Sequence, residues 1–258
     1  MDNNKSLLPE IQDYWTKRAP SYSDIVKNEF ADDSEGRFAA VITEQIKIAE
    51  EKTGRKYVKV LDTGTGPGFF AILLAKRGYE VTAVDYTQAM LDEAAANAAK
   101  QNVSIEFRQM DAQALDLPDD TFDLIVTRNV TWNLENPAKA YGEWYRVLKK
   151  DGLLINFDAG WYNYLFDSTA KEAFDADHEN VVKLGVPDLN KYSDGSRMEE
   201  ISKSLILSQK TRPEIDLEMM SRVGFETAAD RGVWRRVWSK EEQINWASTP
   251  MFLLTGIK

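Results

Sequence analysis

Short apolar runs alternate along this chain with stretches in which apolar residues recur every three or four positions. The alternation of strand and helix that this pattern predicts is typical of an α/β fold with a doubly wound, mostly parallel sheet. Asn136-Pro137 predicts the start of a helix that ends at Asp151-Gly152. The apolar runs predict seven strands, at about 57–61, 80–84, 104–108, 122–127, 153–157, 225–229 and 251–258. The helix predicted over 34–52 has one apolar stripe, formed by Phe38, Val41, Ile42, Ile46 and Ala49.

The same pattern divides the chain into four segments. Residues 1–56 predict an N-terminal helical cap, and residues 57–158 predict the core of the sheet. Regularity then breaks down, and residues 159–212 predict a helical lid that is inserted into the fold. Residues 213–258 return to the strand and helix pattern and complete the sheet. A stretch of about twenty residues, 230–250, separates the last two predicted strands.

The loop after the first predicted strand carries the most specific signal. It reads Asp62-Thr63-Gly64-Thr65-Gly66-Pro67-Gly68, with three glycines spaced by two. Glycine allows a backbone to turn tightly and to approach a ligand closely. Asp85 ends the second predicted strand, at the distance of about 20 residues at which an acidic side chain can accept hydrogen bonds from ribose hydroxyls. This unit predicts a nucleoside site.

The glycine spacing separates two classes of ligand. The dinucleotide fingerprint is G-x-G-x-x-G, whereas here the third glycine comes one residue early and Phe69 takes its place. An acidic residue beside the loop, Asp62, suits a ligand with an ammonium and a sulfonium group better than one with phosphates. An NAD-dependent oxidoreductase is therefore a disfavoured alternative.

The core resembles the class I S-adenosylmethionine (SAM) methyltransferases, especially the quinone-biosynthesis and small-molecule enzymes, and this resemblance implies a Rossmann-like fold. It covers residues 57–158. The matching segments are Val60–Gly68, Val84–Met90, Asp111-Ala112, Phe122–Val126 and Arg146–Gly152. The N-terminal stretch around Tyr14 and Tyr22 is similar to the first helix of the family. Two features depart from the family pattern, Asp151 before the last glycine and the long segment 230–250.

The resemblance also implies which residues bind SAM. Gly64 to Gly68 would lie under the ribose and the amino-acid part, and Asp85 would hold the ribose hydroxyls. Asp111 and the backbone of Ala112 would contact adenine, and Arg128 and Asn129 would contact the methionine end. The full implied set is Tyr14, Tyr22, Asp62, Gly64, Thr65, Gly66, Gly68, Asp85, Tyr86, Met90, Asp111, Ala112, Arg128 and Asn129. For several of these a structural role stays open: a turn for Asp111, packing for Met90 and capping for Arg128 and Asn129.

Aromatic residues after the fourth and fifth predicted strands are candidates for an acceptor pocket, because ligands of open α/β sheets bind beyond the carboxyl ends of the strands. They are Trp132, Trp161, Tyr162 and Tyr164. The alternative for this group is the core of the lid.

Asp158 and His178 are candidate general bases. A strand-end turn is the alternative for Asp158, and a solvated surface position is the alternative for His178.

Composition and charge narrow the function. The chain of 258 residues has a formal net charge of −10, which disfavours binding to nucleic acid. It has no cysteine and one histidine, so we expect neither a thiolate nor a multi-histidine metal site. The apolar run 69–75 is far shorter than the about 20 residues of a membrane span. With no signal-like start, we expect a cytoplasmic protein that does not bind membranes. The basic and aromatic residues 231–238 favour a packing contact or a homodimer contact, and binding of an acidic acceptor group is the alternative.

The function predicted is transfer of a methyl group from SAM to a small-molecule acceptor. A non-catalytic SAM-binding protein is an alternative of a different class, because the family that the chain resembles needs no obligatory catalytic side chain. The segment Arg128-Asn129-Val130-Thr131-Trp132 differs from the Asn/Asp-Pro-Pro-aromatic sequence of enzymes that methylate amino groups of bases or glutamine. A protein or tRNA methyltransferase is disfavoured by the charge.

Overall fold

A seven-stranded sheet with helices on both faces forms the centre of the computed structural model, which describes residues 6–190 and 195–258. The strand order is β3-β2-β1-β4-β5-β7-β6. Strand β7 runs antiparallel to both of its neighbours, and the other pairs are parallel. The strands are β1 (Lys59–Thr63), β2 (Glu80–Asp85), β3 (Glu106–Gln109), β4 (Phe122–Arg128), β5 (Leu148–Asp158), β6 (Glu226–Asp230) and β7 (Phe252–Ile257). The predicted α/β fold and mostly parallel sheet are confirmed.

Ten α-helices surround the sheet in the described part of the chain. They are α1 (Leu8–Ala31), α2 (Ser34–Thr53), α3 (Phe69–Ala75), α4 (Gln88–Lys100), α5 (Pro137–Val147), α6 (Ser168–Leu184), α7 (Gly195–Ser202), α8 (Glu214–Val223), α9 (Trp234–Val237) and α10 (Lys240–Asn245). Helix α1 continues through Pro20. Asn136 caps α5 as predicted, because its side chain accepts from the N–H of Lys139. None of these helices combines the length and the apolar character that crossing a membrane requires.

The core has two layers, one on each face of the sheet. Successive residues of a strand point to opposite faces. Val60 and Val126 therefore pack with α2 and α3, whereas Leu61 and Ile125 pack with α5 and α8. The predicted apolar stripe of α2 is buried throughout. Both faces of the central strands are apolar because helices cover both faces.

The end of helix α5 differs from the prediction. The sequence pattern carries the helix to Asp151-Gly152, but it ends at Val147, and Leu148 already belongs to β5. Leu148 pairs with Phe122 at the start of β4, and the register then shifts before Leu124 pairs with Leu153. Leu148 is fully buried within the sheet.

The two irregular segments of the chain are helical. Residues 159–212 contribute α6, α7 and two 3₁₀ turns, and the segment between β6 and β7 forms α9 and α10. Helix α9 packs on α2, and α10 packs on α6. Residues 1–5 of the predicted cap and 191–194 of the predicted lid lie outside the described residues. The proposed segment boundaries stay a prediction.

Candidate functional site

The glycine loop bends sharply where β1 ends. Gly64, Gly66 and Gly68 have φ angles of 67°, 52° and 91°, in the left-handed region that other residues rarely adopt. A Cβ atom on Gly64 would lie 2.4 Å from Cγ2 of Val130. Val130 belongs to the loop after β4, so Gly64 allows the two loops to approach each other closely.

Asp62 holds the glycine loop from within. Its carboxylate accepts from the Thr65 hydroxyl at 2.6 Å and from the Ala71 backbone N–H at 2.9 Å. The residue is buried, and this burial raises the pKa of the carboxyl group to about 7. Asp62 thereby ties the loop to the first turn of α3.

Asp85 joins the glycine loop to the loop after β2. One carboxylate oxygen accepts from the N–H of Gly66 at 2.9 Å, and the other accepts from the N–H of Thr87 at 2.8 Å. Burial raises the pKa of this carboxyl group. Thr87 is the residue before α4, and its side chain makes no capping hydrogen bond. The carboxylate lies at the carboxyl edge of the sheet and lines a cleft there.

Two neighbouring clefts lie at this edge and bring together most of the predicted cofactor residues. The first cleft is lined by ten of them: Tyr22, Gly64, Gly66, Asp85, Tyr86, Met90, Asp111, Ala112, Arg128 and Asn129. The second cleft shares Tyr22, the glycine loop and Arg128 with the first and adds Asp62 and Thr65. Gly68 and Tyr14 line neither cleft. Gly68 precedes α3, where a Cβ atom would lie 3.1 Å from that of Ala94, and Tyr14 is buried between α1 and α7.

Helix α1 forms a side of the first cleft that the sequence did not predict. Its residues Leu8, Ile11 and Trp15 line the cleft beside the predicted Tyr22. Gln12 donates to the carbonyl of Tyr86 at 3.2 Å and so attaches the helix to the loop after β2. The apolar pattern of α1 shows only that one side of the helix is buried, so it does not reveal which loop that side covers. Met110, Asn133 and Leu134 also line the cleft and were missed.

The wall beyond β3 is formed by Asp111 and Ala112. One carboxylate oxygen of Asp111 accepts from the backbone N–H of Gln113 at 2.8 Å and from its side-chain amide at 3.0 Å. The indole N–H of Trp144 donates to the carbonyl of Ala112 at 3.1 Å. These contacts hold the wall in place while the second oxygen of Asp111 accepts no hydrogen bond from the described residues.

Arg128 ends β4 and lines both clefts. Its guanidinium donates twice to the carboxylate of Glu29 on α1, at 2.7 and 2.9 Å, and its carbon lies 4.4 Å from the ring centre of Phe69. Burial disfavours the charged guanidinium, but the attraction of Glu29 outweighs it and raises the pKa of Arg128. The pair places a guanidinium group beside the clefts and fastens α1 to the sheet.

Two indole groups hold Asn129, the next residue. Its backbone has a φ of 57°, and its N–H donates to the carbonyl of Phe157 at 2.8 Å. The indole of Trp132 donates to the Asn129 carbonyl at 2.9 Å, and the indole of Trp161 donates to its side-chain oxygen at 3.1 Å. Asn129 is therefore fixed in both its backbone and its side chain.

The four aromatic candidates for the acceptor pocket line neither cleft. Trp132, Trp161 and Tyr162 pack with residues of α1 and α7 in a small apolar core. The ring of Tyr164 stacks on Phe174 with centroids 3.9 Å apart, and its hydroxyl donates to Glu199 at 2.8 Å. These contacts are those of a lid core, and an acceptor pocket formed by this group stays a prediction.

Neither candidate base lines a cleft. Asp158 is fully buried; one of its oxygens accepts from the Thr131 hydroxyl, from the Trp132 N–H at 3.1 Å and from Arg212 at 3.2 Å. Arg212 also donates to Asp216 at 2.8 Å. His178 donates through Nδ1 to the carbonyl of Phe174, one helical turn away, at 3.0 Å.

Comparison with known sequences gives a match for the central part of the chain, which supplies most of the residues that line these clefts. Residues 61–156 match the family profile described as a methyltransferase domain. An uncharacterized methyltransferase, YcgJ of Bacillus subtilis, is 35% identical over 114 residues, which cover 44% of this chain and 44% of that protein. The demethylmenaquinone methyltransferase of Thermus thermophilus is 35% identical over 112 residues, covering 43% of this chain and 50% of that enzyme. The matches thus span about half the length of these relatives.

Solved structures extend the likeness of fold to nearly the whole chain. The plantazolicin methyltransferase BpumL, solved in complex with S-adenosylhomocysteine (SAH), superposes with a TM-score of 0.59 at 13% identity, covering 98% of this chain and 96% of that one. YcgJ of Bacillus subtilis superposes with a TM-score of 0.51 at 22% identity, covering 82% and 96% of the two chains. The glycine loop and Asp85 lie within the matched segment, so this part of the chain is similar to methyltransferase domains.

Proposed function

We propose that this chain is an enzyme that transfers a methyl group from SAM to a small-molecule acceptor. The observation that carries the proposal is the first cleft, onto which the glycine loop and the loops after β2, β3 and β4 all open. Relatives named demethylmenaquinone methyltransferase and ubiquinone biosynthesis O-methyltransferase support a small acceptor. The acidic net charge of −10 favours such an acceptor over a nucleic acid.

The residues of the clefts fit the chemical groups of SAM. Each carboxylate oxygen of Asp85 accepts one backbone N–H, which leaves lone pairs for ribose hydroxyls. Asp111 has an oxygen for the adenine amino group. The acidic Asp62 and the basic Arg128 both line the second cleft, and together they suit the ammonium and carboxylate of an amino acid.

When bound, SAM supplies a methyl group that is attached to a positively charged sulfur. Once the methyl group has passed to the acceptor, the remainder of SAM leaves as a neutral thioether. No acid is then needed for the leaving group, so the residues of the chain mainly align the acceptor and exclude water. Leu8, Ile11 and Trp15 of α1 are placed to exclude water from the first cleft. A general base is required only for an acceptor that loses a proton.

Binding and transfer are tested separately. Isothermal titration calorimetry with SAH and with NAD should show binding of SAH alone. Transfer from methyl-labelled SAM is then measured with a panel of small phenols, quinols and amines, and with transfer RNA as a macromolecular control. We expect a labelled small molecule. Binding of NAD in place of SAH would overturn the family-based proposal, and binding of SAH without any transfer would support the non-catalytic alternative.

A further inference from the structure

The side-chain amide of Asn129 has only one chemically consistent orientation. An indole N–H is a donor and has no acceptor atom, so the Asn129 atom that faces Trp161 at 3.1 Å must be the oxygen. The NH2 group then lies on the other side of the amide. It is bonded to no residue within 6–190 or 195–258, and it is not sealed from solvent. Because Asn129 lines the first cleft, this group is a free double donor at the cleft.

The position of Asn129 indicates which ligand group would meet this donor. Arg128 precedes it and lines both clefts, and Val130 follows it and lies against Gly64. Asn129 therefore lies in the chain between a residue that lines both clefts and a residue that lies against the glycine loop. A ligand carboxylate is favoured beside Arg128, whereas the carboxylate of Asp85 disfavours a second anion at its own end of the cleft.

The ion pair of Glu29 with Arg128 gives a reason for an uncharged donor, the Asn129 NH2 group, in this part of the cleft. Glu29 already accepts two hydrogen bonds from Arg128, so the guanidinium charge is largely balanced before any ligand binds. An amide adds directional donors with no charge that must be desolvated. Its orientation must then be set by a neighbour, and Trp161 is the only described residue that bonds the side chain of Asn129.

We propose that Trp161 is a positioning residue that orients the Asn129 amide toward the carboxylate of the methionine moiety of the cofactor. This inference rests on the proposed function. Trp161 belongs to the segment after β5, in the predicted lid, and Asn129 follows β4. Their hydrogen bond therefore connects the lid segment to the cofactor cleft. Trp161 acts through Asn129 and needs no contact with the ligand.

The test compares two ligands that share the adenosine and the sulfur and differ in the amino-acid part. SAH carries the amino-acid part with its carboxylate and ammonium, whereas 5′-methylthioadenosine has a methyl group on the sulfur in its place. A neutral NH2 donor can bond the carboxylate but not the ammonium. Trp161→Phe removes the indole N–H and keeps a ring. A lost hydrogen bond of this kind corresponds to an increase of about three- to tenfold in the Kd of SAH. The Kd of methylthioadenosine should change by less than about twofold.

A second variant and a matched control separate orientation from folding. Asn129→Ala should also weaken the binding of SAH but not that of methylthioadenosine. Trp161→Phe should have no further effect in the Asn129→Ala background, because the Trp161 hydrogen bond acts through the Asn129 amide. Trp246→Phe is the control. Trp246 packs edge-to-face on Trp161 with centroids 5.9 Å apart, but its indole donates to Asn190, and we expect unchanged SAH binding. Thermal unfolding of each variant reports the fold.

Three results would overturn the inference. The first is an equal increase in the Kd of SAH and of methylthioadenosine. The second is an equal effect of Trp161→Phe in the wild-type and Asn129→Ala backgrounds. The third is normal SAH binding by a folded Trp161→Phe or Asn129→Ala protein. If the wild-type chain itself does not bind SAH, the proposed function fails first. The two failures are therefore distinguishable.

Discussion

The cofactor loops and the buried network of Asp158, Arg212 and Asp216 both hold carboxylates near the edge of the sheet, but with different kinds of contact. In the cofactor loops, Asp62 and Asp85 are held by groups 2 to 19 residues away in sequence. In the network, Asp158 and Asp216 are held by Arg212, which is 54 residues from Asp158. The first arrangement depends on local backbone geometry, and the second depends on long-range packing.

The two regions also differ in what they leave open. The carboxylates of the cofactor loops border clefts and accept backbone N–H groups, which leaves capacity for a ligand. In the network, the Tyr141 hydroxyl donates to Asp216 at 2.9 Å, and Asn156 donates to Tyr141 at 3.1 Å, so protein groups surround both carboxylates. The comparison teaches that an acidic side chain at a strand end is a candidate ligand only where its partners leave it accessible. Asp158 does not meet this condition.

The largest expected effect concerns the network. Arg212→Met leaves the buried carboxylates of Asp158 and Asp216 without a cation, because both are fully buried. Removing one partner of a buried ion pair lowers the free energy of unfolding by about 3–5 kcal/mol. Urea unfolding measures the change. The matched control is Arg231→Met, which breaks the exposed pair with Glu214 and should change stability by less than about 1 kcal/mol. Equal effects of the two substitutions would contradict the assigned role of the network.

The next largest effect concerns the close approach of the glycine loop to the loop after β4. Gly64→Ala adds a Cβ atom at a φ of 67° and within 2.4 Å of Val130. Left-handed strain and overpacking together should destabilise the fold by about 2–4 kcal/mol. Val130→Ala removes the clash, so the double variant should be less destabilised than the sum of the single variants. Strict additivity in denaturant unfolding would show that the two loops do not contact each other.

A smaller effect is expected for cofactor binding. Asp85→Ala removes the proposed acceptor for the ribose hydroxyls and the acceptor of two loop N–H groups. We expect the Kd of SAH to rise at least about tenfold, as for the loss of a charged hydrogen bond. Asp175→Ala on the exposed side of α6 serves as the charge-matched control in the same calorimetric titration. An unchanged Kd in Asp85→Ala would remove the ribose role.

The smallest effect is a slope with pH. The pKa of Asp62, raised to about 7 by burial, exceeds the value of about 3.9 in an unfolded chain. Between pH 4 and pH 7 the carboxyl group is protonated in the native state and ionised in the unfolded chain. Its contribution to stability is therefore complete below pH 4 and is lost as the pH rises through 7. From pH 5 to 6 its part of the free energy of unfolding should fall by about 1 kcal/mol.

Asp62→Asn isolates this contribution, because asparagine keeps an oxygen for Thr65 and Ala71 but does not titrate in this range. The difference in free energy of unfolding between the variant and the wild type should widen in favour of the variant from pH 5 to 6. Parallel curves would show that Asp62 keeps an ordinary pKa in the folded protein.

The sequence alone determined the sheet, the glycine loop and the position of Asp85, because strand periodicity and glycine dihedral preferences act over a few residues. It also predicted the cap of α5 at Asn136 but misplaced the end of that helix, where pairing of Leu148 with Phe122 prevails over helical spacing. Only the tertiary structure decided that α1 covers the first cleft, that Arg212 pairs with Asp158, and that the Trp161 indole bonds the side chain of Asn129. Each of these depends on contacts between residues at least 32 positions apart, whose approach is set by how the layers pack and leaves no periodic trace in the chain.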